Sequence, residues 1–405
     1  ALSVSQDDNM KAMDMMEKAI LKDENLVMAQ IYMGTMQDEQ GNFEEASRYY
    51  SKALTKGKTL QDNATIAEAL RKQGTLLRKN KEFDKAVAKF SEALSISTIL
   101  NDKYSMAKSL NSVAISYYQS GDKDNALKNW LQALSIAEEL GDKGAISKRL
   151  NNIGIWYWKD QDYSKSIEYY QKSIAIKKEL GDVRNIGKTY NNLGKIYFSM
   201  GDFKNAVLQY DKSIETKKEL GDNKGLHSSI FNKGQAYFYL NEFDKSIYEF
   251  RQSMELQNSD FHMNEKYRYI GMCHYYLGNY DSSTVYLSRA SQFFKEDSIK
   301  LLSIIPFQML SDLKHENKTN IEMKIKTFEK IALNKDPLPA DYILTNWAMY
   351  EALINLDNYS GASSYLEDAY FEIKARSKNI RDKKDRNQYM QTNLHKKIAT
   401  AWAKK

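Results

Sequence analysis

The feature that most constrains this chain of 405 residues is an internal repeat with a period of 40 residues. The segments Ala114–Leu134, Gly154–Ile174 and Gly194–Ile214 align at this offset without a gap. A small residue recurs at one position of each repeat, at Gly34, Gly74, Ala114, Gly154, Gly194 and Gly234, and Gly271 follows 37 residues later. A fixed period of this size predicts a stack of similar units, each touching its neighbours, rather than one globular core.

Large side chains follow the small ones at an equally regular distance. Sixteen residues beyond each small residue lies a bulky one, at Tyr50, Phe90, Trp130, Tyr170, Tyr210, Phe250 and Leu287. Two antiparallel helices that pack closely need this alternation, because a Gly or Ala on one helix admits the ring of the other. Since only 3 prolines interrupt the chain, each repeat is predicted to be a helical hairpin.

Short polar segments mark the helix ends. Within a repeat the turn usually ends in an aromatic residue, as in Gly201-Asp202-Phe203. Between repeats the sequence is often Leu-Gly-Asp, as in Leu180-Gly181-Asp182. Glycine is favoured just after a helix, where φ is positive, and aspartate caps the start of the next helix. The pattern therefore predicts where both helices of a hairpin begin and end.

The repeat resembles the tetratricopeptide repeat. The residues that carry the resemblance are Asn191-Asn192-Leu193-Gly194-Lys195-Ile196-Tyr197, then Gly201-Asp202-Phe203, Ala206, Tyr210 and Ser213. The ordinary repeat has about 34 residues, and the longer spacing here is similar to that of kinesin light chain, Pins-type adaptors and bacterial signalling proteins with the same Leu-Gly-Asp junction. The resemblance implies an all-α fold, a right-handed superhelix (α-solenoid) of about nine helical hairpins with a C-terminal capping helix.

The register of the pattern predicts five segments. They are a partial N-terminal hairpin over 1–24, an array of mostly 40-residue repeats over 25–262, a hairpin over 263–297, degenerate hairpins over 298–376 and a capping helix over 377–405. Ala1–Ala12 aligns with Lys195–Ala206, so we expect a longer chain upstream of Ala1. An irregular capping helix is the alternative. Residues from Arg381 to Trp402 resemble the closing segment of bacterial repeat arrays that follow a nucleotide-binding or cyclase module.

No catalytic or metal-binding pattern occurs in the sequence. The 5 histidines have no paired metal spacing, and neither a G-x-S-x-G turn nor a phosphate-binding glycine loop is present. The single cysteine, Cys273, excludes an intramolecular disulfide framework but leaves the compartment open between cytoplasm, periplasm and the exterior. We therefore expect a protein that is not an enzyme and that needs neither cofactor nor metal.

The first helix of each hairpin is expected to line a concave groove, which is the candidate peptide-binding surface. Its candidate residues are Lys108, Lys148 and Lys188 in one column, Asn111, Asn151, Asn152, Asn191, Asn192 and Asn232 beside it, and the aromatic row Tyr118, Trp158, Phe198 and Phe238. A carboxamide pairs with both the C=O and the N–H of an extended peptide. Lysines attract carboxylates, and aromatic rings supply flat apolar contact.

The asparagines resemble the asparagine ladder of kinesin light chain and Pins-type adaptors, which implies a role in holding peptide backbone. Ser112 and Phe231 depart from that pattern and weaken the ladder at its ends. A structural reading stays open for the same residues. Asparagines can bridge adjacent helices, lysines can be solvated surface residues, and the aromatic rings can belong to the core.

Two functions follow from these observations. The first is a non-catalytic scaffold whose groove binds an extended, acidic peptide or protein segment. The second is a sensor or regulatory arm of a larger bacterial signalling protein, such as an ATPase, cyclase, kinase or transcription regulator. Nucleic-acid binding is disfavoured because the net charge is only +6, and no run of 18 apolar residues predicts membrane insertion. The oligomeric state is open.

Overall fold

The computed structural model describes residues 26–256, 263–293, 298–316, 320–333 and 341–405, with a few residues between 11 and 20. These residues form helices and turns, and no strand occurs among them, which confirms the all-α prediction. The described chain divides into two compact units, one up to Trp156 and one from Tyr157. None of the described helices is both long and apolar enough to cross a membrane. The hairpin expected over 1–24 and the prolines Pro337 and Pro339 lie largely or wholly outside the described residues.

Twelve described helices cover the regular repeats. They are α1 Val27–Glu39, α2 Phe43–Leu60, α3 Asn63–Lys79, α4 Phe83–Ile99, α5 Lys103–Ser120, α6 Lys123–Glu139, α7 Lys143–Lys159, α8 Tyr163–Glu179, α9 Val183–Ser199, α10 Phe203–Glu219, α11 Asn223–Tyr239 and α12 Phe243–Glu255. The chain continues with α13 Met263–Tyr276, α14 Tyr280–Phe293, α15 Ser298–Leu302, α16 Ile305–Lys314, α17 Ile321–Ala332, α18 Tyr342–Ile354, α19 Tyr359–Asn379, α20 Lys383–Met390 and α21 Asn393–Trp402.

The small and large residues of the repeat pack as the sequence predicts. A Cβ added at Gly74 would lie 2.8 Å from Cε1 of Phe90, and one at Gly194 would overlap the ring of Tyr210. Tyr210 is 1% exposed. Each ring therefore fills the space that the missing side chain leaves, and the two helices of the hairpin approach closely.

The helix ends also follow the sequence. The Asp182 carboxylate accepts a hydrogen bond from the Asn185 N–H at 3.4 Å, as the predicted N-cap should. The turn residue before it, Gly181, has a φ of +65°. Other repeats place residues with side chains in the same left-handed conformation, at Gln61, Lys81, Asn101, Gln161 and Asn241.

Within each unit, the first helices of successive hairpins also contact each other directly. These contacts join α1 to α3 and α3 to α5 in the first unit, and α9 to α11 and α11 to α13 in the second. The first helices therefore form one side of each stack, called the inner face below. This is the side that carries most of the candidate residues.

The C-terminal part of the second unit is less regular. Helices α18 and α19 form a hairpin, in which Ala362, Leu366 and Ala369 are buried as the repeat register predicts. The expected single capping helix is replaced by the end of α19 and two short helices, α20 and α21. The chain is extended at Ile380, with φ −74° and ψ 116°, and Asp382 and Thr392 cap the helices that follow. The segment boundaries expected from the sequence stay predictions.

Candidate functional site

In the first unit, the candidate residues lie on α5 and α7. The Asn152 side chain donates to Oδ1 of Asn111 at 3.3 Å, so this pair bridges two first helices. Lys148 is exposed, and Asn151 is half-buried. Nζ of Lys108 lies 4.0 Å from the centre of the Tyr104 ring, within range of a cation–π contact. Tyr118, half-buried, lies 5.5 Å from Trp130 between ring centres.

In the second unit, Asn191 is held inside the stack. It is only 9% exposed, and its Oδ1 accepts hydrogen bonds from Asn232 Nδ2 at 3.0 Å and from Ser229 Oγ at 3.1 Å. A peptide would have to compete with both bonds for this oxygen. Asn192, the next residue, is half-buried.

Two buried lysines that the sequence analysis missed lie beside these asparagines. Nζ of Lys177 donates to Oγ1 of Thr189, and Nζ of Lys217 donates to Oγ of Ser229, both at 2.7 Å. Burial lowers the pKa of each ammonium to about 8; Asp182 or Asp222 partly offsets this, and the nearby Lys188 adds to it. The two lysines are 40 residues apart, so the repeat was a signal that could have found them.

Further cations surround this point of the inner face. Lys188 is exposed on α9, and burial together with the charge of Lys159 lowers the pKa of the Lys195 side chain. The two carboxylates that act on the buried lysines, those of Asp182 and Asp222, also accept the first N–H groups of α9 and α11. Lys188 therefore acts on both buried lysines, with Asp182 and Asp222 as the opposing carboxylates.

The aromatic row divides between surface and core. Nε1 of Trp158 donates to Oγ of Ser199 at 3.2 Å, and Phe198 lies 5.4 Å from Tyr239 between ring centres. Phe238 is 3% exposed and packs among Phe243, Tyr269 and Tyr276. It offers almost no surface to a ligand, because its side chain points into the core.

A cavity of about 490 Å³ lies in front of two members of this row, Trp158 and Phe198. One wall is aromatic and comes from the end of α7, from α9 to α10 and from α11; its rings are Trp158, Phe198, Phe203 and Tyr239. The opposite wall is the C-terminal segment, defined here as Ile380–His395. From it, Ile380, Tyr389, Thr392, Leu394 and His395 line the cavity.

The C-terminal segment is held in place by contacts that the sequence analysis did not predict. Arg381 forms an ion pair with Asp160, and its N–H donates to the Gln161 carbonyl at 3.4 Å. Oγ of Ser164 donates to Oδ2 of Asp385 at 3.1 Å. The methyl group of Thr392 occupies the space beside Gly201, where a Cβ would overlap it.

Neither a metal-binding cluster nor a reactive thiol occurs in the described part of the chain. No group of three or more His, Cys, Asp or Glu is placed there to hold a metal. Burial raises the pKa of the Cys273 thiol to about 12, so the reactive thiolate is scarce at neutral pH.

Comparison with known proteins agrees with the repeat pattern. A family model described as tetratricopeptide repeat matches residues 65–139, 105–179 and 148–219, and a second model of that description matches 227–260. No curated protein matches the sequence.

Two of the solved structures that match this chain illustrate the shared fold. The crystal structure of the apo form of RapI has 16% identity and a TM-score of 0.56, and the match covers 67% of this chain and 98% of that one. A Signal Transduction ATPase with Numerous Domains (STAND) protein with a tetratricopeptide repeat sensor, from Pyrococcus horikoshii, has 12% identity and a TM-score of 0.61. That match covers 90% of this chain and 55% of the STAND protein, and both likenesses concern the fold alone.

Proposed function

Residues 65–219 and 227–260 of this chain match tetratricopeptide repeat models, and from that premise we propose that the inner face of each unit binds an extended, acidic segment of another protein. Repeats of this family are scaffolds for protein–protein interaction, generally without catalysis. The observation that supports an acidic ligand is the clustering of cations on this face. Lys188 acts on both buried lysines, Lys177 and Lys217, and Lys195 also acts on Lys217. Bound carboxylates would relieve the mutual repulsion of these groups.

Of the candidate residues expected from the sequence, we propose that some contact the peptide and that others only support the binding surface. Lys148 and Lys188 are exposed and available to carboxylates. Asn151 and Asn192 are half-buried on the first helices and are the carboxamides that we propose for peptide backbone. Two asparagine pairs support the wall behind the ligand, because Asn152 donates to Asn111 and Asn232 donates to Asn191 across neighbouring first helices.

The proposal is tested by charge reversal with a defined probe. A short fluorescein-labelled peptide of alternating Glu and Ser is titrated against the whole chain, and against Lys148→Glu with Lys188→Glu. We expect affinity to fall at least about tenfold and the salt dependence to decrease, because exposed charges are screened over roughly 8–10 Å at ordinary ionic strength.

The matched control exchanges Lys128 and Lys218 for Glu. Both are exposed on second helices, so the net charge changes equally while the inner face stays intact. Equal weakening by the two double variants would mean that only the overall charge matters. Absence of binding to the unaltered chain would contradict an acidic ligand.

A second candidate is a sensor arm of a larger signalling protein. The observation that favours it is the match to a STAND protein whose repeats form a sensor, because this match covers 90% of our chain but only 55% of that protein. In that case the ligand on the inner face would regulate an effector elsewhere in the same polypeptide. Reading the complete gene that contains this sequence tests the candidate directly.

A further inference from the structure

The cavity between the aromatic row and the C-terminal segment has the size of a ligand site. Its volume of about 490 Å³ lies within the roughly 300–1,000 Å³ that is usual for small-molecule and side-chain pockets. It is partly open to solvent. This pocket is lined by rings from four helices, α7, α9, α10 and α11, and by a segment distant in the chain.

The rings that form the wall are fixed by contacts among themselves. Phe203 lies 5.2 Å from both Phe198 and Tyr239 between ring centres, and it stacks on Tyr239. The Tyr239 hydroxyl donates to Oδ1 of Asp341 at 3.4 Å, while Nη2 of Arg268 contacts Oδ2 of Asp341 at 2.7 Å. Because these polar atoms already have partners, the surface that the wall offers to a ligand is mainly the faces and edges of aromatic rings.

Cations lie near the cavity, where they can contact the carboxylates of a ligand whose central residue enters it. Lys159 lines it, with Nζ 4.9 Å from the centre of the Trp158 ring. Arg376 and Asp341 also line it, but their charges are paired with Glu372 and Arg268. On α9, Lys188, Lys195 and Phe198 follow one another at helical spacing and so lie along one stripe of the helix. The stripe spans about 15 Å at 1.5 Å per residue, which a short extended segment covers.

We propose that this cavity is an anchor pocket for one aromatic side chain of the acidic segment that the inner face binds, with carboxylates on either side of that aromatic residue. This inference rests on the proposed function and adds a specificity rule to it. The C-terminal segment is then part of the binding site, because Ile380, Tyr389 and Leu394 supply the wall that faces α9 and α11.

The test compares two labelled peptides of alternating Glu and Ser that differ only at a central residue, Phe or Ala. With the whole unaltered chain we expect the Phe peptide to bind about tenfold more tightly, since burial of a large apolar side chain is favourable. In Ser199→Phe, which fills the cavity from α9, this advantage should fall below about twofold while the Ala peptide binds as before. Ser91→Phe is the matched control, because Ser91 is exposed on the second helix α4.

A second variant, Phe198→Ala, tests the same pocket in case Ser199→Phe does not fold. Phe198→Ala enlarges the cavity, so a peptide with naphthylalanine at the centre should bind this variant at least about fivefold better than the Phe peptide does. In the unaltered chain we expect the opposite order, with the Phe peptide binding better. Equal binding of the Phe and Ala peptides to the unaltered chain would overturn the anchor pocket and leave the acidic inner face standing. A Phe advantage that survives in Ser199→Phe, with no change of order in Phe198→Ala, would also overturn it. If neither peptide binds, the proposed function itself fails.

Discussion

Two regions of the second unit are stabilised in different ways. The regular repeats are held by contacts between residues close in the sequence, and the C-terminal segment is held by contacts between residues far apart in it. Tyr210 packs on Gly194, a residue 16 positions earlier, and the same contact recurs at Phe250 and Gly234. Asp385 bonds to Ser164, which is 221 positions away. The first kind of contact is encoded by a local pattern that repeats, whereas the second depends on the path of every helix between the two residues. The regular repeats should therefore stay folded without the C-terminal segment, whereas the C-terminal segment should lose its structure without the repeats.

The largest loss of stability is expected from a substitution at a contact that is both buried and long-range in the sequence. Asp341→Leu leaves Arg268, which is 4% exposed, with only Glu265 as an anionic partner. Loss of one partner from a buried ion pair costs roughly 3–5 kcal/mol, and the remaining bond to Glu265 places the expected cost near the lower limit. Urea denaturation measures it. Asp281→Leu, at a side chain that is 99% exposed, should shift the midpoint little.

The variant Gly194→Leu tests the local contact between the two helices of a regular repeat. The added side chain would overlap the Tyr210 ring at the closest approach of α9 and α10, and overpacking of this kind costs roughly 1–3 kcal/mol or more. Lys204→Ala, at an exposed position of α10, should leave the thermal midpoint nearly unchanged. If thermal melts ranked these two variants in the opposite order, the helical register described above would be wrong.

The buried lysines predict an unusual dependence of stability on pH. Their folded pKa of about 8 lies below the ordinary value of 10.5, so the unfolded chain binds more protons between these limits and the free energy of unfolding rises with pH. We expect a gain on the order of 1 kcal/mol for each lysine from about pH 7.5 to about pH 9.5. Lys177→Met should remove its share of that slope. Urea melts of both proteins at several pH values measure it, and identical slopes would contradict a depressed pKa at Lys177.

The smallest global effect is expected at the edge of the C-terminal segment. Arg381→Ala removes the ion pair between the exposed Arg381 and Asp160, whose side chain is 21% exposed, and the expected cost is about 1 kcal/mol, the upper end of the range for surface pairs. Local opening should nevertheless increase, since this pair and the bond between Ser164 and Asp385 hold the segment on α8. Hydrogen exchange at 383–395 should become faster while exchange in α9 and α10 stays the same. Uniform acceleration in both regions would show that the segment and the repeats open together.

The sequence predicted the hairpins and their caps because each depends on residues close in the chain. It was less informative about which of two neighbouring side chains faces a ligand. Asn191 and Asn192 are adjacent on α9, and a rotation of the helix decides that Asn191 is the one bonded to Asn232. Phe238 shows the same limit, because its burial depends on Tyr269 and Tyr276 from the next hairpin.

The cavity could not be predicted at all from the repeat. Two rings of its aromatic wall, Trp158 and Phe198, were visible in the sequence at the spacing of 40 residues, whereas Phe203 and Tyr239 were not part of that row. Its other wall comes from a segment that departs from the repeat, and the ion pair of Arg381 with Asp160 has no counterpart in any periodic pattern. Only the three-dimensional path of α18 and α19 brings the two walls together.

The turn residues with positive φ make this array a convenient subject for protein engineering. Five of them, Gln61, Lys81, Asn101, Gln161 and Asn241, carry side chains where other repeats have glycine. The left-handed conformation costs a residue with a Cβ roughly 1–2 kcal/mol, and glycine gives back about 0.5–1 kcal/mol of this through its freedom in the unfolded chain. Each exchange to glycine should thus raise the melting temperature slightly, and effects at such distant sites add. Since Gln161 lines the cavity, a more heat-resistant array with an unaltered binding surface is obtained from the other four positions.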